Sequence, residues 1–276
     1  MCFILGAFSM KKEEISESQI KNVLDVARHL IQMRGRDSIG IYTRNSVGAS
    51  TRCFPLKDTC LDDIFSRIDL PTQRCILIQS RAVPETELVA YEQGASLKNT
   101  QPFENVGWAV SHAGSIHNDK ELRKEFPNVY WGFEPQIDSA ILPYMFMKYG
   151  VVDTLKNRVE GSFAVAALDR AFDIFYLAKN FQPLYFGVKD DILYYSSLPY
   201  SFGDFSADTE MPAYSALEAH TYGIANPYIS LYGTPPSGSV LVCLSSGLDS
   251  AVALRLYQIL GYEVAALNFD YGQRAK

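Results

Sequence analysis

Cys2-Phe3-Ile4-Leu5-Gly6-Ala7-Phe8 is the stretch on which the reading of this chain turns. It is an uninterrupted apolar run with a thiol at its head, directly behind the initiator methionine. Such a run reads as a buried strand. A small second residue normally permits removal of Met1, which would leave a free α-amine and a thiol on one residue. The amine, with a reference pKa near 8, can take the thiol proton without a histidine. A buried free cysteine is the competing reading, because this side chain is among those most often buried.

The run is too short for a signal peptide, lacks a basic leader, and ends at once in Lys11-Lys12-Glu13-Glu14. No stretch approaches the length of a membrane span. The 276 residues suit one large domain or two ordinary ones, and 47% hydrophobic with 20% charged residues indicates a globular protein with a substantial core. A net charge of −6 argues against a broad phosphate-binding surface, and Lys120, Arg123 and Lys124 read as a solvated helix face. The 5 cysteines (Cys2, Cys53, Cys60, Cys75 and Cys243) form an odd set without CxxC spacing, which predicts reduced thiols in a cytoplasm and no metal site within the chain.

Working outward, Ser16 and Gln19 form a capping box for a helix through about Arg34, with Ile20, Val23, Leu24, Ala27, Leu30 and Ile31 on one face. Strands over 39–43 and 47–54 predict a hairpin turning at Asn45-Ser46. Further strands are expected over 74–79, 106–112, 163–168, 174–178, 185–188 and 192–196, and a helix over 139–149 despite Pro143. Residues 204–237, interrupted by Pro212, Pro227, Pro235 and Pro236, read as a linker. Beyond it a strand, a tight loop over 245–250, a helix and a second strand make one βαβ unit. The domains expected are therefore 1–203 and 238–276.

Behind Cys2 follow Arg34-Gly35-Arg36-Asp37-Ser38-Ile39-Gly40, Arg81, Gln101-Pro102, His112-Ala113-Gly114-Ser115-Ile116-His117-Asn118 and Asp138-Ser139. In this order and spacing the set resembles the class II glutamine amidotransferases, N-terminal-nucleophile hydrolases with an α+β, four-layer αββα fold. The resemblance covers roughly residues 2–200. It implies Cys2 as the nucleophile and its α-amine as proton shuttle. Arg81 would fork onto the glutamine carboxylate, Asp138 would hold its ammonium, with His112 beside them, and Gly114 would give a backbone N–H to the oxyanion. The family normally has asparagine where this chain has Ala113, and alanine cannot donate. Asn118, the nearest amide in sequence, is the expected substitute, and restoring asparagine at 113 is expected to raise glutaminase turnover. A second departure puts Gln79 where many members have histidine. In ordinary terms Arg81 is an ion-pair partner and Asp138 a helix N-cap.

Ser245-Ser246-Gly247-Leu248-Asp249-Ser250 places hydroxyls and backbone N–H groups at a helix N-terminus, a ready anion cradle. It resembles the SGGxDS loop of the ATP pyrophosphatases, with Ser245, Gly247, Asp249 and Ser250 on the phosphates of ATP-Mg²⁺ and Ser246 replacing a glycine. The alternative is a Ser/Gly-rich turn capped by Asp249. With Phe269-Asp270-Tyr271-Gly272-Gln273-Arg274 the segment resembles 7-cyano-7-deazaguanine synthase, and the fusion resembles enzymes of archaeosine-type and queuosine-type modification. That implies glutamine-derived ammonia passed to a 7-deazaguanine, free or within tRNA or DNA. It also implies zinc cysteines beyond Lys276, so the chain reads as a fragment, a truncated product, or one side of a split enzyme completed by a second polypeptide. Competing readings are a degenerate module that binds glutamine without turnover, as Ala113 allows, and an acylase acting on another amide, against which Arg81 and Asp138 argue.

Overall fold

The computed structural model describes residues 2–57, 59–68, 73–82, 97–131, 135–232, 239–245, 247–259 and 262–269. The chain divides into two compact units, Met1–Leu231 and Tyr232–Lys276.

In the first unit, strand β1 (Phe3–Ser9) lies inside a seven-stranded sheet of order β13-β9-β10-β1-β4-β2-β3. Its neighbours β4 (Cys75–Arg81) and β10 (Ile192–Ser196) both run antiparallel to it. Strands β2 (Ser38–Arg44) and β3 (Ala49–Pro55) form the expected hairpin, with the Asn45 side chain accepting from the Val47 and Gly48 N–H groups at its turn. Strands β9 (Tyr185–Lys189) and β13 (Thr209–Glu210) finish the other edge.

A six-stranded sheet of order β15-β14-β8-β7-β6-β5 faces it. Its strands are β5 (Phe103–Glu104), β6 (Trp108–Ile116), β7 (Gly161–Asp169), β8 (Ile174–Lys179), β14 (Ser215–His220) and β15 (Gly223–Ser230). A small ribbon pairs β11 (Tyr200–Phe202) with β12 (Phe205–Ala207).

Side-chain alternation along β1 sets the layers. Phe3, Leu5 and Ala7 pack with Ile20, Val23, Ala27 and Leu30 of helix α1 (Glu17–Met33). Ile4 and Phe8 point the other way and meet Ala164, Ala166, Leu177 and Leu217 of the second sheet. The far face of that sheet, through Val110, Val165 and Ala216, packs on Leu142, Met145 and Phe146. The result is the αββα sandwich, and β1 is apolar throughout because both its faces are covered.

The capping box is present: the Ser16 N–H donates to Gln19 Oε1 and the Gln19 N–H to Ser16 Oγ. Helices α2 (Leu61–Ser66) and α3 (Asp119–Arg123) are short. The helix predicted over 139–149 begins as a 3₁₀ turn, Asp138–Ile141, and continues as α4 (Leu142–Asn157), with Pro143 in its first turn, where no N–H is needed. At Gly150, φ is +77° and the helix breaks before resuming.

The linker expected over 204–237 is corrected by the structure: β12 to β15 belong to the first unit, which extends to Leu231. The prolines that suggested a linker occupy tolerated places. Pro212 lies between β13 and β14, and Pro227 lies on β15, the edge of its sheet, where register shifts mark a bulge. Pro235 and Pro236 fall outside the described residues.

The second unit pairs β16 (Ser239–Cys243) in parallel with β17 (Glu263–Leu267), joined by α5 (Leu248–Ile259). Leu241 and Val252 in it are 60% and 57% exposed. No helix among the described residues is long and apolar enough to cross a membrane.

Candidate active site

Cys2 stands at the head of β1 and opens onto a cavity of about 500 Å³ whose wall includes Arg34, Ala82, Ala113, Gly114 and Gln182. Burial pushes its thiol pKa up; the Ala82 backbone N–H and the Arg81 charge pull it back, and Asp138 raises it. The net shift is upward, so the thiol stays protonated near neutrality and needs a base to become a nucleophile.

The RGRDSIG stretch is the scaffold for this corner. Helix α1 ends at Arg34 in extended conformation, and Gly35 turns the chain with φ +70°. The Asp37 N–H then donates to the Arg81 carbonyl at 3.0 Å, and Ser38 pairs with Arg81 across β2 and β4. Ser38 Oγ also meets Thr100 Oγ1 at 2.8 Å, and Gly40 lies so close to Gln101 that a Cβ there would stand 1.8 Å from its carbonyl oxygen. Arg81 is thereby fixed at the end of β4, 4% exposed, one residue before the N–H that meets the sulfur.

Across the cavity, β6 presents Gly114. Its φ is +146°, and a Cβ would fall 2.0 Å from the Ser162 carbonyl oxygen and 2.9 Å from His112 Nε2, so only glycine fits. His112 is buried behind it. Its Nδ1 lies 2.7 Å from Ser139 Oγ and its Nε2 3.2 Å from the Ser162 carbonyl, which assigns the proton to Nε2. Gln101 completes the network, its Oε1 accepting from the His112 N–H at 2.7 Å and its Nε2 donating to Ser139 Oγ at 3.2 Å. Burial lowers the His112 pKa, partly countered by Asp138. The substrate-binding role expected of His112 is therefore corrected: both ring nitrogens are engaged within the protein, and the ring positions the β6–β7 corner.

Asp138 accepts from the Ile116 N–H at 2.6 Å through Oδ2 and from the Ser139 N–H at 2.8 Å through Oδ1; Ser139 Oγ lies 3.1 Å from Oδ1, with its proton directed to His112 Nδ1. It opens the 3₁₀ turn that precedes α4 and acts electrostatically on both Cys2 and His112. Asn118 does not join the site. Its Nδ2 donates to the Arg158 carbonyl at 2.8 Å and its Oδ1 accepts from the Glu160 N–H at 3.1 Å, so its amide ties the end of β6 to the approach to β7. The expectation that it replaces the asparagine missing at 113 is overturned. Gln79 is fully buried on β4, and neither end of its amide has a partner among the described residues.

Sequence reasoning overlooked Gln182, Ser162 and Ser197, which also line the cavity. Gln182-Pro183, between β8 and β9, was the available signal. Of the basic run read as a solvated face, Lys120 and Lys124 are exposed, but Arg123 is largely buried, spent on Asp119, on the Ile137 carbonyl and over the Trp131 ring.

In the second unit, the loop after β16 folds onto itself. The Ser245 N–H donates to Ser250 Oγ at 3.3 Å, and Ser250 Oγ donates to the Gly247 carbonyl at 2.9 Å, just where α5 begins. Ser246 and Asp270 to Arg274 lie outside the described residues. Among the described residues no group of three or more His, Cys, Asp and Glu side chains has a metal-holding arrangement.

Comparison with known proteins follows this division. Residues 91–203 match a family described as glutamine amidotransferase domain, and residues 239–276 match the queuosine biosynthesis protein QueC. The 7-cyano-7-deazaguanine synthase 2 of Sulfurisphaera tokodaii is 30% identical over 288 residues, covering 100% of this chain and 60% of that protein. The 7-cyano-7-deazaguanine synthase of Sulfolobus acidocaldarius is 28% identical, with 100% of this chain and 60% of that protein covered. The chain thus spans about three fifths of the length of these relatives. Among solved structures, the allosteric regulatory enzyme of purine biosynthesis superposes with a TM-score of 0.63 at 16% identity, over 99% of this chain and 67% of that one. A glutamine aminotransferase class-II domain protein from Silicibacter pomeroyi gives 0.51 at 14% identity, over 84% of this chain and 99% of that one. The chain is thus similar, in order, to a glutamine amidotransferase domain and to QueC, and its fold is that of the superposed amidotransferase structures.

Proposed function

We propose that the first unit hydrolyses glutamine through Cys2 and that the ammonia serves ATP-dependent chemistry on a 7-deazaguanine. The observation that carries this reading is the cavity that sets Cys2 across from Gly114, with Arg81 and Asp138 near enough to act on the thiol.

Once Met1 is removed, the Cys2 amine takes the thiol proton and the sulfur bonds to the side-chain amide carbon of glutamine. The carbonyl electron pair moves onto oxygen, where the Gly114 N–H meets it. Collapse restores the carbonyl and breaks the C–N bond; the amine returns its proton to the departing ammonia. Water then cleaves the thioester to glutamate. Arg81 is the partner for the substrate α-carboxylate, a bidentate task suited to guanidinium. Asp138 is the partner for its α-ammonium, carrying one more hydrogen bond beside those it already accepts.

In the second unit, Ser245, Gly247, Asp249 and Ser250 fit the phosphates of ATP with Mg²⁺, because exposed hydroxyls and a helix N-terminus converge there. ATP would supply adenylation of a carboxylate oxygen of the acceptor; a nitrile acceptor takes ammonia by direct addition. Relatives named 7-cyano-7-deazaguanine synthase support a 7-deazaguanine acceptor; a carboxylate or nitrile on it, free or within tRNA or DNA, is part of the proposal. A second polypeptide or further residues would complete that half, and any zinc would belong there.

Ala113 favours one other reading, a module that binds glutamine without turning it over. A glutamine-mimicking diazoketone separates the two. With intact-mass and peptide mapping, a single adduct on Cys2, absent from Cys2→Ala, is expected. Wild-type protein that binds glutamine yet takes no adduct would establish the binding module instead.

A further inference from the structure

We propose that Gln182 supplies the oxyanion donor that Ala113 cannot, an inference that rests on the glutaminase reading above. The tetrahedral intermediate needs more than the Gly114 N–H; Arg34, Ser115 and Ser162 also bring donor groups to the cavity wall, but a neutral carboxamide is the like-for-like substitute for an asparagine side chain. Asn118 is spent on the Arg158 carbonyl. Ser197 Oγ is occupied by the Ile4 backbone, accepting from its N–H at 2.9 Å and facing its carbonyl at 3.4 Å. Ser162 Oγ accepts from the Ser115 N–H at 3.2 Å and keeps its proton, but it is a hydroxyl and not a carboxamide. Gln182 is the carboxamide among the described residues that line this cavity, half-buried, and none of them hydrogen-bonds its amide.

Its backbone is anchored from both sides, which keeps a side-chain donor in place before the reaction begins. On one side Asn180, 2% exposed, clamps β7: its Oδ1 accepts from the Phe163 N–H at 2.9 Å, its Nδ2 donates to the Gly161 carbonyl at 2.8 Å, and its own N–H donates to the Phe163 carbonyl at 3.0 Å. Those β7 residues pair with Gly114 to Ile116 of β6, so the clamp ties Gln182 to the strand that carries the first donor. On the other side Pro183 restricts the backbone and Leu184 is fully buried. Alanine at 113, on the same wall, leaves the room that an asparagine side chain would fill.

In the step assigned here, the Cys2 sulfur bonds to the amide carbon and the carbonyl pair shifts to oxygen. Gly114 N–H and Gln182 Nε2–H then both donate to that oxygen. Neither donor gives up its proton, and the leaving ammonia receives the one held by the Cys2 amine.

The test uses the whole chain with Gln182→Met, close in shape and without a donor, and Gln182→Glu, which places a negative charge against the oxyanion. Glutaminase kcat is expected to fall by about 10²–10³ in both, with KM little changed and the adduct on Cys2 retained. Adding Ala113→Asn to Gln182→Met is expected to restore most of the lost turnover, so that the benefit of asparagine at 113 depends on the residue at 182. Unchanged kcat in Gln182→Met, a loss confined to KM, or a loss that Ala113→Asn leaves in place overturns the proposal. Wild-type turnover with full kcat kept in Gln182→Met overturns it alone, whereas wild-type protein that takes no label or shows no turnover overturns the glutaminase reading beneath it.

Discussion

His112 shows how a motif can name the right residue and the wrong task. Its position in the HAGSIHN segment was plain in the sequence, but its burial by Ser139, Gln101 and the Ser162 carbonyl was not, because those partners come from three other segments. Burial holds the folded pKa below the ordinary 6.5, so the unfolded chain takes up a proton at this ring first. Stability linked to His112 is therefore complete above about pH 6.5 and falls as the pH drops through the range below, by up to about 1.4 kcal/mol per pH unit. Denaturant midpoints measured from pH 7.5 to 5 should show wild type declining more steeply than His112→Asn. Equal slopes would mean that the ring titrates freely in the folded state. The sequence pattern grouped Cys2, Gly114, Arg81 and Asp138, and the structure sets Cys2 and Gly114 on one cavity with Arg81 and Asp138 close enough to act on the thiol. Asn118 misled because nearness in sequence says nothing about which carbonyl an amide will find.

At the scale of elements, alternation and capping carried most of the information. The run 3–8, the α1 stripe behind Ser16 and the Asn45 turn each state their own structure locally. Residues 204–231 do not, because Pro227 is acceptable only on an edge strand, and edge status is a property of the sheet. The β6–β7 ladder offers the sharpest test at this scale. Gly114→Ala would drive a Cβ into the Ser162 carbonyl at a φ that side chains avoid, so the two strands must separate. A loss of about 1–3 kcal/mol is expected, with Cys2 labelling slowed at least in proportion, because Gly114 stands on the cavity wall. Thermal denaturation and adduct kinetics on one preparation would check both; an alanine variant as stable and as reactive as wild type would contradict the close approach.

For the whole molecule, the two units differ in what they can bury. Residues 1–231 enclose separate cores on both faces of both sheets. Residues 232–276 present one helix on two strands, with Leu241 60% and Val252 57% exposed. A chain of that size hides too little apolar surface to offset its ordering entropy. Expressed alone, 1–231 is expected to unfold cooperatively and to keep Cys2 reactive, while 232–276 should show no cooperative transition in calorimetry. A sharp transition in the short piece would refute this. Within the larger unit, β1 opens the chain yet sits between β4 and β10, with Leu5 opposite Ser196. Its thiol is made well before its surroundings are complete, because they wait for a strand nearly two hundred residues further along the chain. Pairing across such a distance is slow. The cavity in front of Cys2 is consequently among the last features the folding chain completes, and a partly folded chain lacks it.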